Sequence, residues 1–280
     1  MFASCLQLAG LVVLAAGGLG NFGGRRSLRF TAVSACVGAG FVVLGVALQA
    51  LMTTIPFAAR LDEPLLGLTM EYLSDTRSGR FASGTGVLVG VVAACALVAL
   101  YLGERAQNVL RVILLVAVGL LALASAVSGH AGSAPGDHGH VMVAAHAAHM
   151  ACAVLWVALA ASLLLQWTAP ATLRAALQRA GRQALPLALT VGITGPVLAW
   201  LHGVGFGDLW ASTYGQLVVV KSALFTVVLA LAAVNRFHAL RPGVMADRPH
   251  MAAGLLAVEG VALVAILILA GTLAVTPPVH

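Results

Sequence analysis

A chain of 280 residues that is 61% hydrophobic and 9% charged, with a mean hydropathy of +1.02, is not a water-soluble globular domain. Its net charge of +6 sits in short connections between apolar stretches, so it carries no nucleic-acid meaning. Four cysteines (Cys5, Cys36, Cys95 and Cys152) are scattered without a CxxC spacing, which argues against a disulfide framework or a zinc site.

A membrane-crossing helix needs about 20 apolar residues. On that measure the chain reads as an all-α, polytopic integral membrane protein: a single membrane domain, 1–280, with eight transmembrane helices. Span 1 covers Phe2–Phe22 and span 2 Phe30–Met52. The N-terminus lacks a basic region before its apolar run, so it reads as a first span and not as a cleaved signal peptide. A connection over 53–81 follows, in which Pro64–Ser74 is expected to form a short interfacial helix opened by its proline. Spans 3 (Ala82–Leu102) and 4 (Val109–Gly129) are joined by a short turn with Glu104 and Arg105. Span 5 is Val141–Trp167, span 6 Ala184–Leu201, span 7 Gln216–Asn235 and span 8 Met251–Val275. No convincing internal repeat is apparent.

The connections after spans 1, 3, 5 and 7, together with Arg111 at the start of span 4, carry eleven arginines, against three on the other side. Basic residues stay in the cytoplasm, so both termini are expected outside. Seven of the nine histidines then lie on or near the outer face: His130, His138, His140, His146, His149, His202 and His280.

Five of these fall in one stretch, His130–Trp156, read as a polar loop over 130–140 running into span 5. Along a helix, Met142, His146 and His149 stand at i, i+4 and i+7 and share a face, with Trp156 one heptad further on. Met150 follows His149, and Cys152 lies one turn from it. Imidazole and thioether groups both suit copper, and thioethers favour Cu(I). An ionisable side chain inside an apolar helix also costs free energy, which makes His146 and His149 functional candidates. His138 and His140 are equally compatible with a solvated loop, and Met142 and Met150 with ordinary packing.

Two charges fall inside spans, Lys221 in span 7 and Glu259 in span 8. An unpaired charge at mid-membrane costs on the order of 3 kcal/mol on insertion scales. Three arrangements meet that cost: Lys221 pairs with Glu259, or each takes polar neighbours such as Asn235, Thr190 or Ser222, or Lys221 snorkels outward and Glu259 is a protonated acid. If the pair is functional, Glu259 is the candidate for proton coupling or a cation waypoint.

The C-terminal part, about 130–278, resembles the CopD/PcoD copper-resistance membrane proteins, whose domain is also the membrane part of YcnJ-type copper importers. The resemblance rests on several pieces in order. Span 4 ends Ser128-Gly129-His130-Ala131, similar to that family's Ser-His-Ala. His149 precedes Trp156 with the family's His-x6-Trp spacing. Thr213-Tyr214-Gly215-Gln216-Leu217 followed by Lys221 is similar to its Thr-x-Tyr-Gly-Arg-x-Leu-x-x-Lys, with Gln216 in place of the arginine. Asn235-Arg236-Phe237, Glu259 and the ending Thr276-Pro277-Pro278 also match. In place of a glycine pair after Trp156 stand Val157 and Ala158.

The resemblance implies copper uptake or homeostasis at the bacterial inner (plasma) membrane. It supports His130 and His149 as metal contacts, and Lys221 and Glu259 as shared intramembrane polar residues. The full expected metal set is His130, His138, His140, Met142, His146, His149, Met150 and His202, acting on Cu(I) or Cu(II). Copper would be captured at the outer face and passed toward the cytoplasm; the expected partners are the copper ion, the lipid bilayer and, as an option, a periplasmic copper-binding protein. No P-loop pattern is present and no catalytic residues are assigned, so the chain is not expected to be an enzyme. Two alternatives stand beside this: a b-type haem oxidoreductase with His149 and His202 as axial ligands, and a factor that delivers copper during cuproenzyme assembly.

Overall fold

The computed structural model describes residues 2–19, 24–62, 64–129, 136–165, 170–240, 249–274 and 276, with side chains left aside at 24–26, 164–165, 170–177, 238–240, 249–253 and 256. Among them there is no strand. The helices are α1 (Phe2–Leu19), α2 (Gly24–Leu61), α3 (Leu65–Asp75), α4 (Arg77–Leu102), α5 (Gln107–Ser128), α6 (Gly136–Leu165), α7 (Pro170–Leu201), α8 (Asp208–Ala211), α9 (Thr213–Leu240) and α10 (Pro249–Leu273). A 3-10 turn over Gly103–Ala106 joins α4 to α5.

Each of the eight predicted spans falls on one of these helices. Among the described residues, six stretches are long and apolar enough to cross a membrane: Phe2–Leu19, Ser27–Leu61, Arg77–Ser128, Gly136–Leu163, Gln178–Leu201 and Thr213–Phe237. The third of them contains both α4 and α5, and Ala257–Leu273 in α10 is a shorter apolar helix. Large apolar side chains face outward along them: Val87 is 68% exposed, Ile193 65% and Val261 72%, as lipid-facing positions require.

The helices outrun the predicted spans at their polar ends. α2 continues through Pro56 to Leu61, and α4 starts at Arg77, so most of the predicted 53–81 connection is helical. The expected short helix is α3, with Pro64 as its N-cap. It is tied to α2 by a 3.0 Å contact between the Thr54 and Thr69 hydroxyls. The arginines Arg174, Arg179 and Arg182, read as a connection, lie within α7. Hydropathy marks the apolar middle of a helix; it does not mark where backbone hydrogen bonding stops.

The chain divides into two compact units, Met1–Ala151 and Cys152–His280. In the first, α1, α2, α4 and α5 pack around Leu14, Val42, Val92, Leu110, Leu114 and Val118, all nearly inaccessible. α1 and α2 approach through glycines: a Cβ on Gly10 would lie 2.7 Å from the Gly38 carbonyl oxygen, and one on Gly38 2.8 Å from that of Gly10. Such backbone-to-backbone contact is how helices associate where lipid removes the hydrophobic drive. A buried polar knot fixes the same unit. Ser27 Oγ accepts from Gln107 Nε2 at 2.5 Å and from Arg111 Nη2 at 2.6 Å, binding α2 to α5. In the second unit α9 is the centre, with α7, α8 and α10 packed on it. Trp156 of α6 meets Phe225 of α9 edge to face, centroids 5.6 Å apart.

One local motif occurs in both units. A short helix ends, a hydroxyl residue in extended conformation caps the next helix, and a glycine follows three residues later. In the first unit Thr76 donates to the Tyr72 carbonyl at 2.7 Å and accepts from the Gly79 N–H at 2.9 Å. In the second Ser212 donates to the Asp208 carbonyl at 2.8 Å and accepts from the Gly215 N–H at 2.9 Å. A Cβ on Gly79 would collide with the Tyr72 carbonyl, and one on Gly215 with that of Asp208. Thr76-x-x-Gly79 and Ser212-x-x-Gly215 are thus the same local device. Gly215→Ala is expected to destabilise by about 2 kcal/mol through overpacking against backbone. Ser212→Ala is expected to cost about 1 kcal/mol as a lost cap. Thermal unfolding of the purified variants checks both, and a Gly215→Ala melting temperature equal to wild type would refute the close approach.

Candidate functional site

The histidine-rich stretch is more helical than its composition suggests. Gly136, with φ +62°, takes a left-handed conformation that a glycine accepts without strain, and α6 starts there with Asp137 in its first turn. His138 and His140 therefore lie on the helix, correcting their expected place in a loop. At 3.6 residues per turn, about 100° per residue, the faces are defined. His138, Met142, His149 and Trp156 fall within a narrow stripe, His146 lies at its edge, Met150 further round, and His140 on the opposite side. Met142 and Trp156 are buried, His146, His149 and Met150 half-buried, and His138 and His140 exposed. Cys152 is a free thiol on the adjoining turn. His130 lies outside the described residues.

His202 is the best-defined histidine. It is the C-cap of α7: Gly203 N–H donates to the Trp200 carbonyl at 2.9 Å and Val204 N–H to that of Ala199 at 3.0 Å, a Schellman ending with Gly203 at φ +75°. The ring folds back so that Nδ1 lies 2.7 Å from the Leu198 carbonyl oxygen. A carbonyl only accepts, so Nδ1 carries the hydrogen and the neutral ring keeps its lone pair on Nε2. Metal-binding histidines are commonly held by this kind of second-nitrogen bond. The ring also stacks on Tyr214, centroids 6.2 Å apart at 28°. Tyr214 is positioned in turn by the Ser212 cap at the start of α9. Exposed Trp200, Phe206 and Trp210 surround this end of the unit in sequence, the amphipathic belt expected at a membrane interface.

Of the intramembrane charges, Glu259 is buried, and its Oε2 accepts from Asn235 Nδ2 at 3.2 Å. The polar-neighbour arrangement is the one present. Lys221 is half-buried, and among the described residues no ion pair joins it to Glu259. The reason is axial. Lys221 precedes Asn235 by fourteen residues of continuous helix, roughly 21 Å at 1.5 Å per residue, beyond the reach of a lysine stem. Lys221 instead shares a face of α9 with Tyr214, seven residues before it.

Sequence reasoning missed Ser212 and gave Tyr214 no role beyond its place in the motif, whereas Asn235 stood among the polar neighbours it offered. The Thr-x-Tyr-Gly pattern could have found the first, because its leading hydroxyl residue aligns with Ser212.

As a copper site, the chemistry of these donors fits: imidazoles and thioethers dominate, and one imidazole has its lone pair oriented. Among the described residues, however, no three His, Cys, Asp or Glu side chains come together as a metal-holding group.

In comparison with known proteins, residues 174–276 match the family described as Copper resistance protein D (CopD). No curated protein and no solved structure matches. The matched range holds His202, Tyr214, Lys221, Asn235 and Glu259, and leaves the α6 histidines outside it.

Proposed function

Residues 174–276 are a CopD-family segment of a helical membrane protein of the copper-resistance kind, and from that premise we propose a carrier that takes copper from the periplasm toward the cytoplasm. The family match is the observation that carries this reading. In it the chain crosses the inner membrane eight times, with both termini outside, and has no catalytic step. Copper is the cargo. The α6 residues His138, Met142, His146, His149 and Met150, with His140, His130 and His202, receive it at the outer face. His202 is supported by its Nδ1–H···O=C bond to Leu198, which leaves Nε2 free to bind a soft or borderline cation. With no ATPase motif in the chain, the driving force is the membrane potential, worth about 2.3 kcal/mol per charge per 100 mV for an inward-moving cation.

The test uses full-length protein purified in detergent from copper-supplemented cells. Metal content by mass spectrometry and a visible spectrum are taken on one sample. Copper near one or two atoms per chain (an estimate from the donor count) without a Soret band is expected. Iron with a Soret band and little copper would overturn the reading and make His149 and His202 axial-ligand candidates. Copper bound but not accumulated by vesicles would favour delivery to a cuproenzyme over uptake.

A further inference from the structure

Glu259 is the one buried acid among the described residues, 5% exposed, and Asn235 opposite it is 4% exposed. The amide donates Nδ2–H to Glu259 Oε2, while its own carbonyl oxygen, Oδ1, is buried and meets no donor. Two problems therefore sit on one pair of side chains. An ionised Glu259 would have a single neutral N–H bond for a full buried charge, and desolvation strongly disfavours that. Asn235 would meanwhile keep an orphan acceptor, which is also costly.

Nearby cations do not resolve this. Arg236, next to Asn235, is exposed, and its Nη1 lies over Gly181 of α7, where a Cβ would come within 2.7 Å. Arg179 and Arg182 flank Gly181 on α7 and are exposed. Lys221 is four helical turns away. No ion pair reaches Glu259 among the described residues. A metal cation does not fit either: hard cations take six or more oxygens, and copper prefers nitrogen and sulfur.

One proton resolves both problems. As a carboxylic acid, Glu259 is neutral and supplies an O–H. An acid and a primary amide are complementary in a two-point pair, N–H to the acid's carbonyl oxygen and O–H to the amide oxygen. We propose that Asn235 and Glu259 form an intramembrane proton site, with Glu259 protonated at neutral pH and its O–H directed to Asn235 Oδ1. The site goes beyond the copper reading and needs no copper to exist.

Infrared spectroscopy of the full-length protein in lipid nanodiscs tests this at pH 7 with no metal added. A carbonyl stretch of a protonated carboxylic acid, sensitive to deuterium exchange, is expected in wild type and lost in Glu259→Gln. In Asn235→Leu the band should persist but shift toward that of an acid with weaker hydrogen bonding. Glu259→Gln preserves shape and one amide donor, so it should fold and melt as wild type does at neutral pH. Absence of the band in wild type, or its survival in Glu259→Gln, would overturn the proposal. Because copper plays no part in the readout, the carrier reading can fail while the proton site stands, and the reverse.

Discussion

His202→Ala is expected to lower the copper retained by the purified protein at least tenfold, the range in which loss of an oriented histidine or its supporting bond acts. The argument rests on geometry in the C-terminal unit. The Leu198 carbonyl fixes the tautomer, Tyr214 fixes the ring plane, and the Schellman ending of α7 fixes the backbone that carries both. Tyr214→Phe keeps the stack and should retain most of the metal; Tyr214→Ala removes it and should lose part. On α6 the order is set by exposure. His149, half-buried, should matter more than His138, which is exposed at the helix start. Bound copper measured across His138→Ala, His149→Ala and His202→Ala separates these cases. Equal retention in all three would sink the assignment of copper to these imidazoles.

Ser27→Ala should be the most destabilising small substitution in the N-terminal unit, at about 2 kcal/mol. The Ser27 side chain is fully buried and its Oγ is an acceptor shared by Gln107 and Arg111. Removing it deprives a buried amide and a half-buried guanidinium of that acceptor. Thr31 is equally buried, but its hydroxyl donates only to the Ser27 carbonyl one turn back on the same helix. Thr31→Ala should therefore cost well under half as much, since that carbonyl remains within the helical ladder. Melting temperatures of the two variants in one detergent provide the comparison. Equal losses would show that the knot between α2 and α5 adds nothing beyond local packing.

Much of the chain is legible in its residues alone. Apolar runs locate the long apolar helices, because the cost of exposing backbone and charge to lipid is summed residue by residue along one segment. The pieces around Tyr214, Asn235 and Glu259 are sufficient to place the C-terminal part in a copper-resistance family, and the match over 174–276 agrees. Helix ends are not legible in this way. Arg77, Gly136 and Pro170 begin helices inside stretches that look polar, since capping and hydrogen bonding decide an end and hydropathy does not.

What the amino-acid order determined alone was therefore one-dimensional: which segments suit a membrane, where the basic residues collect, and that imidazoles and thioethers line one stripe of α6. The tertiary structure decided what depends on register between helices. It gave Glu259 to Asn235 and not to Lys221, because helix rise puts Lys221 some four turns away along α9. It set the His202 proton on Nδ1, because the α7 ending brings the Leu198 carbonyl to that atom. It also revealed the same capped, glycine-pinned junction at Thr76 and Ser212, because the contact of Gly79 with Tyr72 and of Gly215 with Asp208 is a matter of distance between backbones, which hydropathy and spacing do not encode.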